Sequence, residues 1–308
     1  MNSQDYWRKR EEKWIEQQIK EDSKQAKVIA EKYQKALDQI QKEIDANWER
    51  FAGKEKVSLS EAKKMALEMD VKAFARKAKE YVKTKDFSKT ANDELRLYNV
   101  TMRVNRLELL KSQIGLELIA LSDDLDKYTA ETLTKSGLAE AKRQAGILGE
   151  TVFENYRSFV DSVANGSFQG ATFSERIWGT TGALKAELDR LLIRALTQGR
   201  NPRELARELR SVFDSSKYEA ERLMRTETAR VQLEVQKKSY QEYDIEKYEF
   251  IAEPSACGLC KPLNAKTFDV SELKVGVNAP PMHPNCRCST VPYVDREAFE
   301  KSLKERGL

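Results

Sequence analysis

Two short stretches of this chain hold all of its soft metal ligands. The first, "ACGLCKPL", carries Cys257 and Cys260; the second, "PPMHPNCRCST", carries His283, Cys286 and Cys288. All four cysteines and the single histidine of a 308-residue protein thus fall between positions 257 and 288. A Cys-x-x-Cys turn lets two thiolates face one centre, and a second pair from another segment completes the four tetrahedral positions that zinc prefers. Here the second arm is His-x-x-Cys-x-Cys, so five donors compete for four positions. His283 and Cys286 have the three-residue spacing of a knuckle, which leaves Cys288 as the spare. Residues two apart on an extended segment face the same way, so Cys288 also qualifies as a ligand.

A site saturated by thiolates and one imidazole lacks the open water position that hydrolysis needs, so the expected role of the zinc is structural. Two disulfides are the main rival, and they suit an oxidising compartment. A redox Cys-x-x-Cys opens a helix in a βαβ unit, and no such unit is readable here. A Cys–His nucleophile is the remaining enzymatic alternative, without an evident third group to orient it. A single histidine rules out a His-Glu-x-x-His zinc site within one chain, and no Gly-x-x-x-x-Gly-Lys-Ser/Thr phosphate loop is present. Residues 246–292 are loop-rich and short of large aliphatic side chains, a composition that calls for a metal or disulfide staple.

The elements that must position these ligands are mostly helices. Residues 1 to about 50 read as one long helix with a narrow stripe of Ile29, Tyr33, Leu37, Ile40, Ile44 and Trp48. That stripe fits packing on the protein's own next helix, or a partner helix. Ser58 and Glu61 can form a capping box that opens a second helix. A third runs through "LRLYNVTMRVNRLELLKSQIGLELIAL" to an acidic turn, "SDDLD". Helical segments interrupted by glycine follow over 129–165. Asn201, Pro202 and Glu204 signal a further start, and Ser216 with Glu219 another. From about 245 the texture changes to β-branched, aromatic and turn-forming residues, hence short strands and loops, before a closing helix at about 295–306. The expected class is mainly α: an elongated helical N-terminal region, 1–145, then a helical domain, 146–308, with a small α+β zinc-stapled module at 246–292.

Charge is unevenly placed. Residues 1–50 carry 11 basic and 11 acidic side chains, whereas 51–90 carry 11 and 6, which exceeds the net +4 of the whole chain. Within that segment Lys72, Arg76, Lys79 and Lys83 align on one helical face, beside an apolar face of Val71, Phe74, Ala75, Ala78 and Val82. Such a row can follow phosphates without reading sequence, which marks it as the candidate contact for double-stranded DNA; a plain solvated helix face is the competing reading. No run approaches the ~18 apolar residues of a membrane span, and the first residues lack a secretory signal. A soluble protein made in a reducing cytoplasm is expected.

"LMRTETARVQ" on a helix, then "CGLC", then "APPMHPNCRCSTVPY" closely resembles the C-terminal domain of the phage head morphogenesis family, the minor head proteins with a Mu F-like domain. The resemblance covers about residues 146–292, and its size and layout are similar to those of minor head proteins of Bacillus siphophages. It implies a non-enzymatic internal capsid component, incorporated with the portal, that acts in head morphogenesis and genome packaging or delivery and sometimes associates with DNA. It further implies scaffold or major capsid protein as additional partners, location in the capsid interior near the portal, and the host cytoplasm during assembly. The family's proposed metal site falls on Cys257, Cys260, His283, Cys286 and Cys288, and Arg225-Thr226-Glu227 becomes a structural or docking element. As an ordinary helix surface, the same stretch pairs Arg225 with Glu221 one turn earlier. The alternatives are a Cys/His-centre enzyme and a prophage-borne module binding DNA or a partner.

Overall fold

Apolar residues recurring every three or four positions among balanced charges make long helices whose stability comes from one buried stripe. A computed structural model of the chain describes residues 3–51, 89–148, 156–198 and 202–293. Among these it has five α-helices: α1 (Ser3–Phe51), α2 (Lys89–Leu148), α3 (Tyr156–Asn165), α4 (Phe173–Gln198) and α5 (Pro202–Glu242). Three strands follow, β1 (Lys247–Ile251), β2 (Thr267–Asp269) and β3 (Ser289–Tyr293). The chain is thus mainly α with a small C-terminal sheet, as its periodicity predicts. The basic row Lys72, Arg76, Lys79 and Lys83, the capping box at Ser58 and Glu61, and the closing helix at 295–306 lie outside the described residues.

Two predicted breaks are not breaks. The acidic stretch "SDDLD" lies inside α2, because Leu118, Leu121 and Leu125 carry the buried stripe straight through it. Ser122 turns inward there, bonding to the Leu118 carbonyl and to Thr181 of α4. Likewise α5 passes through Ser216 without restarting: the Ser216 side chain is buried and engaged by the Tyr33 hydroxyl, so it caps nothing.

By internal packing the chain divides into two units, Glu31–Asp123 with Gly179–Lys217, and Met1–Ala30 with Asp124–Trp178 and Tyr218–Leu308. The described residues of the first are all helical. Its α1 stripe is buried against the protein's own helices: Tyr33 meets the Phe213 ring of α5 edge-on at 6.3 Å and donates to the Ser216 carbonyl.

The second unit contains the sheet, ordered β2-β1-β3 and antiparallel throughout. The alternation of β1 sends Tyr248 and Phe250 to one face and Glu249 and Ile251 to the other. Ile251 and Val291 pack with Ile15 and Ile19 of α1. Glu249 takes Gln4 at 2.8 Å and Arg8 at 2.9 Å from the same helix. α2 crosses α3 and α5 at Gly137, where an added Cβ would lie 2.5 Å from Val160 Cγ1 and 2.9 Å from Val231 Cγ1; only glycine permits that approach.

Beside the sheet sits a buried ionic network. Arg143 of α2 bridges two carboxylates, Glu11 of α1 and Glu140 one turn before it, while its guanidinium lies 5.0 Å from the Trp14 ring. Gln144 and Gln236 donate to Glu140, and Ser289 of β3 donates to Glu11 at 2.6 Å. Thr290 donates to Gln236 and accepts from Tyr240, so the network runs from α1 through α2 and α5 to β3.

Candidate metal centre

The register of the sheet brings the two ligand arms together. Ile251, at the end of β1, pairs with Ser289, at the start of β3. The first arm therefore leaves β1 from the same end at which the second arm enters β3. After β1 the chain turns on bonds from the amides of Cys260 and Lys261 to the Cys257 carbonyl, then passes into a short 3-10 turn, Lys261–Leu263. In the second arm the Cys286 amide bonds back to the His283 carbonyl, with Asn285 in the left-handed region at φ 69°. Asparagine tolerates that conformation better than most residues, which is one reason it suits this turn.

All five predicted donors are gathered. His283 Nε2 lies 3.1 Å from Cys257 Sγ and 3.4 Å from Cys260 Sγ, and the Cys260 and Cys286 sulfurs are 3.9 Å apart. The donors form two triads that share Cys260, one with Cys257 and His283, the other with Cys286 and Cys288. Zinc bonds of ~2.3 Å to sulfur and ~2.0–2.1 Å to nitrogen, set tetrahedrally, require donor separations of about 3.6–3.8 Å. The separations here are close to that, so the clusters can hold a metal ion. His283 Nδ1 lies 2.8 Å from the Pro284 carbonyl, an obligate acceptor. In the neutral ring this places the proton on Nδ1 and directs the Nε2 lone pair at the sulfurs, the orientation common to metal-bound imidazoles.

Burial and crowding pull the four thiols apart in acidity. The hydrogen bond from Cys288 lowers Cys286 to about 6, against the effect of burial. That same bond, with burial, pushes the Cys288 thiol far up. Burial, with the neighbouring Cys286 sulfur, raises Cys260 to about 12. Backbone amides of Cys260 and Leu259 lower the exposed Cys257. His283 is raised: burial opposes its charge, but the Pro284 carbonyl and the Cys286 and Cys257 sulfurs outweigh it. Four sulfurs this close cannot all ionise unless a cation compensates them.

Asn285 ties the second arm to α5. Its amide bonds to Thr226 Oγ1 at 3.1 Å, its side-chain oxygen accepts from Arg225, and its side-chain nitrogen donates to the Tyr218 hydroxyl at 3.2 Å. Arg225 thus reaches forward to Asn285 and across to Asp22 of α1 at 3.1 Å, instead of pairing with Glu221. Glu227 pairs instead with Arg230, which also donates to the carbonyls of Val163 and Ala164 at the end of α3. The Arg-Thr-Glu stretch is therefore a structural element, its first two side chains serving the ligand arm and its third the α3 terminus. The stretch is legible in the sequence whereas Asp22 and Asn285 are not, because no local spacing points to partners so distant along the chain.

Against families of known proteins, residues 186–291 match the one described as Phage Mu protein F like protein. This segment is a Phage Mu F-like domain. It begins within α4 and takes in α5, both ligand arms and nearly all of the sheet, so every cysteine and the histidine belong to it. The match spans about a third of the chain and supports a phage head-related protein. No curated protein and no solved structure matches the chain. Among the described residues, no helix is long and apolar enough to cross a membrane.

Proposed function

We propose that this chain is a minor head protein of a tailed bacteriophage, a non-enzymatic component of the capsid interior that associates with the portal and acts in head assembly and genome packaging or delivery. The observation that carries this reading is that the Mu F-like domain contains both ligand arms and the helix that fixes them. The donor set supports structural zinc, held by four of Cys257, Cys260, His283, Cys286 and Cys288. When bound, the ion would join the two arms and offer no open position for substrate, which accords with a role in shape. Residues 1–145 are then the helical region through which the domain reaches portal, scaffold or major capsid protein. The test is co-expression with the portal protein of the same genome: the two proteins are expected to co-purify, and the chain to be present in purified virions by mass spectrometry. A chain that leaves the portal on washing and is absent from virions overturns the reading.

DNA contact is assigned within the same proposal to Lys72, Arg76, Lys79 and Lys83. Four neutralised phosphates give a salt slope of about −3.6, hence roughly a hundredfold weaker binding at 200 mM than at 50 mM salt. The affinity is expected to be equal for duplexes of unrelated sequence. Fluorescence anisotropy on the wild type and on a variant with all four side chains changed to glutamate measures this. Unchanged binding in that variant refutes the assignment.

A further inference from the structure

The metal-binding arm is fastened from outside its own domain. Asp22 belongs to α1, outside the matched residues 186–291, yet its Oδ2 accepts from Arg287 Nε at 2.5 Å and from Arg225 Nε at 3.1 Å. Arg287 stands between Cys286 and Cys288, 265 residues from Asp22 along the chain. Arg225 in turn bonds Asn285 on the other side of Cys286. One buried carboxylate therefore grips the second arm on both flanks of a donor sulfur, directly through Arg287 and through Arg225 to Asn285. On this side of the arm a cavity of about 30 Å³ lies against Asp22, Arg225, Arg287, Cys286 and Cys288. Without Asp22, two guanidinium groups would face each other uncompensated, and like charges in a half-buried site move apart.

We propose that Asp22 is a positioning residue for the metal centre, setting the geometry of Cys286 and Cys288 from the N-terminal helix. The Mu F-like domain of this protein is then incomplete as a metal site without α1. This rests on the zinc reading above, and its test separates the two.

The experiment uses the full-length chain and measures zinc affinity by competition with a chromophoric chelator. Asp22→Asn keeps the shape of the side chain and removes its charge. It is expected to weaken zinc binding by ~10–100-fold, the usual cost of losing a group that orients a metal ligand. Asp22→Glu should recover much of that loss by restoring the carboxylate, and Glu21→Gln, one residue away and exposed, should bind as wild type. A role in helix packing alone predicts that Asn and Asp behave alike. Wild-type zinc affinity in Asp22→Asn overturns the proposal. Should Asp22→Asn fail to fold, Arg287→Lys, which keeps the charge but lacks the Nε donor, is expected to weaken binding in the same direction; wild-type affinity there overturns it equally.

A wild-type chain that holds no zinc defeats the metal reading, and the role of Asp22 is then read from the thiols. With N-ethylmaleimide and mass-spectrometric mapping, the buried Cys286 and Cys288 are expected to react about tenfold faster in Asp22→Asn, through easier local opening of the arm. Cys257, already exposed, should keep its rate. Unaltered rates at Cys286 and Cys288 overturn the positioning role.

Discussion

The purified protein is expected to carry about one zinc per chain, and its removal by a chelator to unfold residues 246–292 while the long helices persist. The reason lies in what fills the core around the ligand arms: Phe250, Ala256 and three cysteines, with only partly buried Ala252, Leu263, Phe268 and Met282 around them. Sulfur stands where aliphatic side chains would otherwise supply the burial. An apparent binding free energy of about 10–16 kcal/mol, typical of structural zinc in small modules, would then appear as folding free energy. Hydrogen exchange of the β1 to β3 amides, followed with metal analysis during chelation, measures both together. Cys260→Ser should be the most damaging single change, since Cys260 is the donor common to both triads. Cys288→Ser decides the fourth ligand: near-wild-type zinc affinity leaves Cys286 in the set, and a loss comparable to that of Cys260→Ser puts Cys288 there. No metal in the folded protein, with all four thiols freely titratable, would remove the centre from the account.

The centre was legible in the sequence because its chemistry is rare and local. Few structural explanations compete for five soft donors in a 32-residue window, and turn formers around Pro254, Gly258 and Pro262 already announce loops. The mainly helical class was legible for a similar reason, since periodicity sums over many residues. Breaks were harder. "SDDLD" and Ser216 with Glu219 carry genuine turn and cap chemistry, yet Leu118, Leu121 and Leu125 in one case, and Tyr33 taking the Ser216 side chain in the other, override local preference with tertiary contacts. Asp22 and Glu11 were illegible altogether. On an isolated helix each is one more charge among many, and only the fold shows that α1 lies against the C-terminal sheet and turns these two carboxylates inward.

That inward turn makes Arg143→Met the other large effect expected, a loss of about 3–5 kcal/mol of stability in chemical denaturation. Arg143 is the shared cation of Glu11 and Glu140, both buried, and removing it leaves two carboxylates without compensation beside one another. Methionine fills much of the space, so the loss reports charge more than volume. Acid should reduce the deficit. Burial already raises Glu11 above its ordinary value of 4.5, with Arg143 the main opposing influence. A carboxyl raised on folding contributes stability that is present below its ordinary value and lost as pH rises through the raised one. Without Arg143 that raised value climbs further, so the variant should fall furthest behind wild type at high pH and recover part of the gap as pH is lowered towards the ordinary carboxyl value. The triple change Glu11→Gln, Glu140→Gln and Arg143→Met removes all three charges at once and should regain most of the stability, because a buried ionic cluster contributes far less than breaking it costs. If the single variant matches wild type, or if the triple variant is no better than the single, the network is not the electrostatic joint between α1, α2 and β3 described here.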